Sequence, residues 1–328
     1  MKISDLGEIE LISKIRERFL SSNLGVVLGI GDDAAIVRFQ NRNIILTKDI
    51  LVEDVHFKFS FHPSNYLGRK CLAVNLSDIA AVGGEPKFVL LGLALPSKVT
   101  SNWINEFFTG FKTVCRKYRV ALVGGDISSS LSKIFISVSL LGEGERIIRR
   151  KGAKPGDLIF VSGYLGEASY GLSLLKKGIR LGQDRKKDSY LKAFLNPIAQ
   201  IELGQELSQK QIASSMIDIS DGLSTDLFHI CQESGVGARI YQDKIPFSKK
   251  FLSESIRVVE RYDLALHGGE DYQLLFTVSP TKMKEVANLK KKVNFIGYIT
   301  DRKNQLTIVN QKGEEIPLKV KGYEHFKK

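Results

Sequence analysis

Acids concentrate in six short segments, most of them rich in glycine. GIGDDAAIV carries Asp32 and Asp33 after Gly29 and Gly31, TKDILVEDVHF carries Thr47, Asp49, Asp54 and His56, and NLSDIAAVGG carries Asn75 and Asp78. GGDISSS adds Asp126, MIDISDGLSTD adds Asp218, Ser220, Asp221 and Asp226, and HGGEDY adds Glu270 and Asp271. A single acid beside glycine is ordinarily a turn former or a helix N-cap. That reading stays open for Asp221, directly before GLSTDL, and for Glu270–Asp271 as an exposed loop pair. Asp32, Asp78 and Asp218 differ, because they sit in or beside apolar segments. A carboxylate is rarely buried without a partner, and neighbouring carboxylates repel one another unless they share a cation. Mg²⁺ takes oxygen ligands and bridges carboxylates to substrate phosphates. Glycines let backbone N–H groups approach phosphate oxygens. A basic strip, Arg146, Arg149, Arg150, Lys151 and Lys154, either neutralises phosphates or is a solvated charge run at a domain joint. The set points to Mg²⁺-dependent nucleotide chemistry. Neither a P-loop pattern nor the protein-kinase motif set is present, which excludes both of those classes.

These residues need elements to hold them. Apolar spacing predicts a helix over 8–20, a strand over 43–50 and a helix over 66–82 that stops at Gly83-Gly84 with Pro86 beyond. A strand over 88–95, a helix over 102–118, a short buried strand over 120–123 running into Gly124-Gly125-Asp126, and a strand over 133–141 follow. The basic, Gly/Pro-punctuated segment GERIIRRKGAKPGD marks a joint. Beyond it come a strand over 158–162, helices to about residue 209 with a solvated loop over 176–187, and a strand over 216–219. A helix over 223–233, a strand over 272–278, a helix over 281–289 and a strand over 293–299 complete the pattern. The expected class is α/β, of the α+β type with mixed sheets. Two domains are expected, residues 1–147 and 148–328, in keeping with a length of 328 residues.

Composition removes other classes. Hydrophobic residues make up 43% and charged residues 26%, ordinary globular usage. No apolar run reaches the roughly 18 residues of a spanning helix, and residues 1–20 mix charged and apolar residues as no secretory signal does. Cys71, Cys115 and Cys231 are too dispersed for a zinc site or a disulfide framework, and the five histidines form no metal-binding helix motif. The net charge of +12 attracts polyanions. It keeps open a basic nucleic-acid-binding protein as the rival from another class, although the acids occupy the Gly loops and no nucleic-acid-binding signature appears.

The segments above, with RxGAKPGD at 150–157, GGEDYxLLFT at 268–277 and KGYEHF at 321–326, occur in an order and spacing that resembles the thiamine-monophosphate kinase family. Its superfamily also holds aminoimidazole ribonucleotide synthetase and selenophosphate synthetase. The resemblance spans nearly the whole chain and implies transfer of the ATP γ-phosphoryl to thiamine monophosphate, the last step of thiamine diphosphate synthesis, in the cytoplasm. It implies several Mg²⁺ ions at Asp33, Thr47, Asp49, Asp78, Asp126, Asp218 and Asp221. ATP contacts are implied at Gly125, Asp126, Arg150 and Ser220, and contacts to thiamine at His56, Glu270 and the position of Val320. It further implies a homodimer whose N-terminal sheets form a barrel-like interface, with a C-terminal α/β domain covering the site. Two positions depart from the family pattern. Lys48 stands where relatives carry a hydroxyl, so that ligand comes from backbone or water, or Lys48 contacts phosphate. Val320 stands where some relatives place an aromatic ring, so stacking falls to Tyr323 or Phe326. A sister enzyme is the closer rival; selenophosphate synthetase is disfavoured because no cysteine precedes Cys71.

Overall fold

The computed structural model describes residues 7–18 and 25–325. Two mixed sheets organise it. The first contains β1 (Val26–Leu28), β2 (Ala35–Phe39), β3 (Arg42–Val52), β4 (Glu85–Leu95), β5 (Ala121–Ser129) and β6 (Phe135–Glu143), in the order β1-β2-β3-β6-β4-β5. All its pairings are antiparallel except β4 with β5. Along β6, Ile136, Val138 and Leu140 point inward and are fully buried, the period-2 alternation of a half-covered sheet. Helices α2 (Ser64–Ala81) and α3 (Ser101–Tyr118) belong to this half, while α1 (Glu8–Arg18) pairs Arg16 with Glu233 of the other half.

The second sheet holds β7 (Leu158–Val161), β8 (Ala213–Asp218), β9 (Gly237–Tyr241), β10 (Leu274–Val278), β11 (Asn294–Thr300), β12 (Leu306–Val309) and β13 (Glu315–Pro317). Its order is β13-β12-β9-β11-β7-β10-β8, and neither sheet closes into a barrel. Its helices are α4 (Glu167–Lys176), α5 (Asp188–Leu195), α6 (Ile201–Gln209), α7 (Leu223–Ser234), α8 (Lys249–Leu252), α9 (Val258–His267) and α10 (Met283–Ala287). The mixed α/β class expected from the sequence is what forms.

Helix α2 positions the site. Leu67, Leu72, Leu76 and Ile79 are almost wholly buried, and so are Lys70, Asn75 and Ser77. It is buried all round because α3, β3, α6 and β8 all pack against it. Two glycines permit the closest approach to α3. A Cβ on Gly68 would sit 2.0 Å from the Phe107 carbonyl oxygen, and one on Gly110 would sit 1.8 Å from that of Asn65.

Several local expectations need correction. Only Val120 of the stretch 120–123 is buried; β5 starts at Ala121, runs nine residues and is exposed throughout. It is an edge strand, paired only with β4, so its apolar residues lack a covering layer. Gly124, Gly125 and Asp126 lie within this strand rather than in a turn, beside a bulge where the register with β4 shifts. The helix over 281–289 is a 3₁₀ turn, Pro280–Lys282, followed by the short α10. Strands β1, β2, β9, β12 and β13 and helices α8 and α9 have no counterpart in the sequence reading; the strands are three to five residues long, too short to show a period. Of the helix expected over 8–20, residues 19 and 20 lie outside the described residues.

Candidate active site

Four separate stretches deliver carboxylates to one place. On β3, alternation puts Thr47 and Asp49 on one face and Lys48 on the other. Lys48 is exposed, and its ammonium lies 3.4 Å from the Ser139 hydroxyl of β6. Asp78 comes from the last turns of α2 and accepts a hydrogen bond from the Thr47 hydroxyl. Asp218 ends β8, and Asp33 comes from the loop between β1 and β2. Carboxylate oxygens of Asp33, Asp78 and Asp218 lie within 4.8 Å of one another.

The electrostatics of this cluster are severe. Burial, then the charge of Asp33, pushes Asp218 up to about 8. Burial, reinforced by Asp49 and Asp218, holds Asp78 well above the usual carboxylate range. Asp49 is pushed up to about 6 by burial and by Glu270. Oδ2 of Asp33 and Oδ2 of Asp218 are buried with no hydrogen-bond partner. An all-oxygen set of mutually repelling carboxylates with unpartnered oxygens fits a hard divalent cation such as Mg²⁺.

Arg150 closes one side. Its guanidinium donates to Asp33 Oδ1 at 2.6 Å, and its backbone N–H donates to Asp32 Oδ2 at 3.1 Å. Asp32 also accepts from the Asp33 N–H at 3.0 Å, yet burial still pushes it up to about 7. Arg150 therefore ties the segment between the sheets to the loop carrying two of the acids.

The adjoining cleft is lined by Asp49, His56, Lys70, Asp78, Asp218, Ser220, Glu270 and Tyr272, with Ile50, Leu51 and Val74 as its apolar wall. His56 Nδ1 accepts from the Val52 N–H at 3.0 Å, which places the proton of the neutral ring on Nε2. Burial, then the nearby His325, lowers its basicity; the two rings are 5.1 Å apart. Glu270 and Tyr272 both have left-handed backbones, φ 73° and 48°. Such non-glycine conformations cost about 1–3 kcal/mol each and persist where the surroundings impose them. Here Glu270 N–H donates to the Ser220 carbonyl at 2.8 Å and Tyr272 N–H to that of Ile219 at 2.8 Å. Between them, Asp271 is buried and accepts from the Gly166 and Ala168 N–H groups at the start of α4. Asp271 is thus a helix cap rather than an exposed loop acid.

Other expected residues lie apart from this cluster. Asp221 groups instead with Asp226 and His229, ligand atoms within 4.8 Å of one another. Burial pushes Asp221 up to about 7 and lowers His229 to about 4. Asp226, not Asp221, receives the N–H groups at the start of α7. Asp126 sits on β5 opposite Gly92 of β4 and belongs to neither acid group. Gly125 has a steric reason to be glycine, since a Cβ there would lie 1.9 Å from the Leu91 carbonyl oxygen. Val320 is exposed and is not part of the cleft wall. Tyr323 donates its N–H to the Asp221 carbonyl and its ring meets His325 edge-on; Phe326 lies outside the described residues. The sequence reading missed Lys70 altogether. Its signal was a cation directly before the apolar run CLAV of a helix, in LGRKCLAVNL.

The family models for the N-terminal and C-terminal domains of AIR synthase related proteins match residues 31–143 and 154–309. A thiamine-monophosphate kinase of Buchnera aphidicola subsp. Acyrthosiphon pisum is 39% identical over 325 residues, covering 97% of this chain and 98% of that protein. The chain belongs to the thiamine-monophosphate kinase family. The thiamine-monophosphate kinase of Escherichia coli strain K12 is 36% identical, with 98% of each chain covered. Among solved structures, AaThiL complexed with AMPPCP and TMP superposes with a TM-score of 0.87 at 36% identity, covering 99% of both chains. Thiamine-monophosphate kinase relatives thus cover nearly the whole of this chain, both sheets included.

Proposed function

We propose that this enzyme transfers the γ-phosphoryl group of ATP directly to the phosphate of thiamine monophosphate, giving thiamine diphosphate and ADP. The observation that carries this reading is the Asp33–Asp78–Asp218 cluster beside a cleft walled by His56 and Glu270, in a chain similar from end to end to AaThiL complexed with AMPPCP and TMP. The acceptor is a phosphate monoester with a second pKa of about 6, so it is mostly dianionic at neutral pH. The nucleophile therefore needs no general base. His56, the histidine of the cleft lining, has its Nδ1 occupied by the Val52 N–H. What limits the reaction is the approach of two polyanions.

Asp33, Thr47, Asp49, Asp78, Asp126, Asp218 and Asp221 are the residues that would hold Mg²⁺. When bound, such ions supply charge neutralisation between nucleotide and acceptor phosphates. Arg150 would steady nucleotide phosphates, a role its planar guanidinium suits. Gly125, Asp126 and Ser220 would contact ATP, while His56 and Glu270 would hold the thiamine part. Val320, exposed at the surface, would be a further thiamine contact. Residues 1–147 and 148–328 would act as two domains facing each other across the site, a division supported by the two sheets. A homodimer is supported by the unpaired edge strand β5, where Leu122, Val123 and Ile127 are exposed, next to Phe88 and Leu90 exposed on β4.

The test is incubation with ATP, Mg²⁺ and thiamine monophosphate, followed by chromatographic separation of thiamine phosphates. Formation of thiamine diphosphate with stoichiometric ADP is expected. Its absence with folded protein would overturn the reading, and product with an aminoimidazole precursor instead would favour a sister enzyme.

A further inference from the structure

Lys70 is the most deeply buried cation that reaches the cleft. Its side chain is 1% exposed, on α2, the helix that also carries Asp78. Its ammonium lies 2.6 Å from Glu270 Oε2, donates to the Phe194 carbonyl at 3.2 Å and sits 3.6 Å from the centre of the Phe194 ring. A buried ammonium is costly to desolvate, so its position is dictated by these partners. Glu270 is the only carboxylate within ion-pair distance of it among the described residues. Glu270 in turn is held on a left-handed backbone by the Ser220 carbonyl, and among the described residues Lys70 is the side chain paired with its carboxylate. Without Lys70, Glu270 would add an unbalanced negative charge beside Asp49, Asp78 and Asp218 and next to an incoming phosphate.

We infer that Lys70 is a positioning residue for the acceptor: it neutralises and aims the Glu270 carboxylate, so that this wall of the cleft receives thiamine monophosphate without repelling it. This rests on the phosphotransfer reading of the site. The role is tied to the acceptor through Glu270, proposed to hold the thiamine part; among the described residues Lys70 makes no ion pair or hydrogen bond with Arg150 or Asp33, proposed for the nucleotide side.

The test uses full-length protein and separate titrations of ATP and thiamine monophosphate. Wild-type turnover is measured first; if wild type makes no thiamine diphosphate, the phosphotransfer reading has failed and Lys70 is not at issue. Lys70→Met is expected to raise KM for thiamine monophosphate by about tenfold or more, a loss of about 1.4 kcal/mol in acceptor binding, while KM for ATP is unchanged. In a Glu270→Gln background the same substitution is expected to add nothing, because Lys70 acts through Glu270. Removing one member of a buried pair can prevent folding. If Lys70→Met does not fold, Lys70→Arg, which keeps the cation but displaces it, is expected to give the same selective rise. Three results overturn the inference: no change in either KM, a parallel rise in both with a lowered melting temperature, or full additivity with Glu270→Gln.

Discussion

At the scale of single residues, the buried acids decide both activity and stability. Asp78→Asn or Asp218→Asn is expected to leave a folded protein whose turnover falls by about 10²–10³, the scale of losing one preorganised electrostatic partner. Wild-type-like turnover of either variant at saturating Mg²⁺ removes that residue from the site. The same carboxylates make the metal-free protein pH-sensitive. An unfolded aspartate titrates near 3.8, whereas burial and the charge of Asp33 push folded Asp218 up to about 8. Between those values the folded state binds the extra proton, so protonation stabilises the fold at low pH and that contribution fades as pH rises through about 8. Melting in EDTA should therefore occur at lower temperature at pH 8 than at pH 5. Added Mg²⁺ should raise the melting temperature more at pH 8, where the acids are ionised; an equal rise at both pH values argues against cation binding there. The acids were legible in the sequence because their types and order are distinctive. Lys70 was not, since its meaning depends on Glu270 and Phe194, which lie 200 and 124 positions along the chain.

At the scale of elements, α2 and β3 do the aligning. Alternation along β3 turns Thr47 and Asp49 toward Asp78 and sends Lys48 to the opposite face, beside Ser139. The departure at position 48 therefore leaves the acid cluster intact. Helix α2 is seated against α3 by Gly68 and Gly110, where backbone meets backbone. Gly68→Ala should overpack this crossing and destabilise the protein by about 1–3 kcal/mol. Because α2 carries Asp78 and Lys70, turnover should fall as well. Urea denaturation and a parallel activity assay check this; an unchanged midpoint would mean that the helices separate freely. The long helices and strands were readable from period alone, whereas β5 was misjudged. Its apolar sequence is the same on an edge as in a core, and only its place beside β4 leaves it exposed.

At the scale of the whole molecule, the edge of the first sheet at β5 bears on assembly. Ile127 on β5 is 70% exposed, and Phe88, Leu90, Leu122 and Val123 are also exposed on these two paired strands. An edge strand with exposed apolar residues invites pairing with another chain. Ile127→Glu should convert a dimer to a monomer in sedimentation analysis; a monomeric wild type contradicts the proposed dimer. The net charge of +12 describes the surface as a whole and not the site, which is acidic.

By itself, the sequence determined the mixed α/β class, the acid-bearing segments, their order and the family they share, because these follow from residue type, spacing and short-range period. The tertiary structure alone decided which acids share a cation-sized space: Asp33, Asp78 and Asp218 in one group, Asp221 with Asp226 and His229 in another, and Asp126 apart on β5. It also paired Lys70 with Glu270. The reason is physical. Burial and mutual charge, which set the state of each carboxylate, depend on distances across the fold that no local pattern encodes.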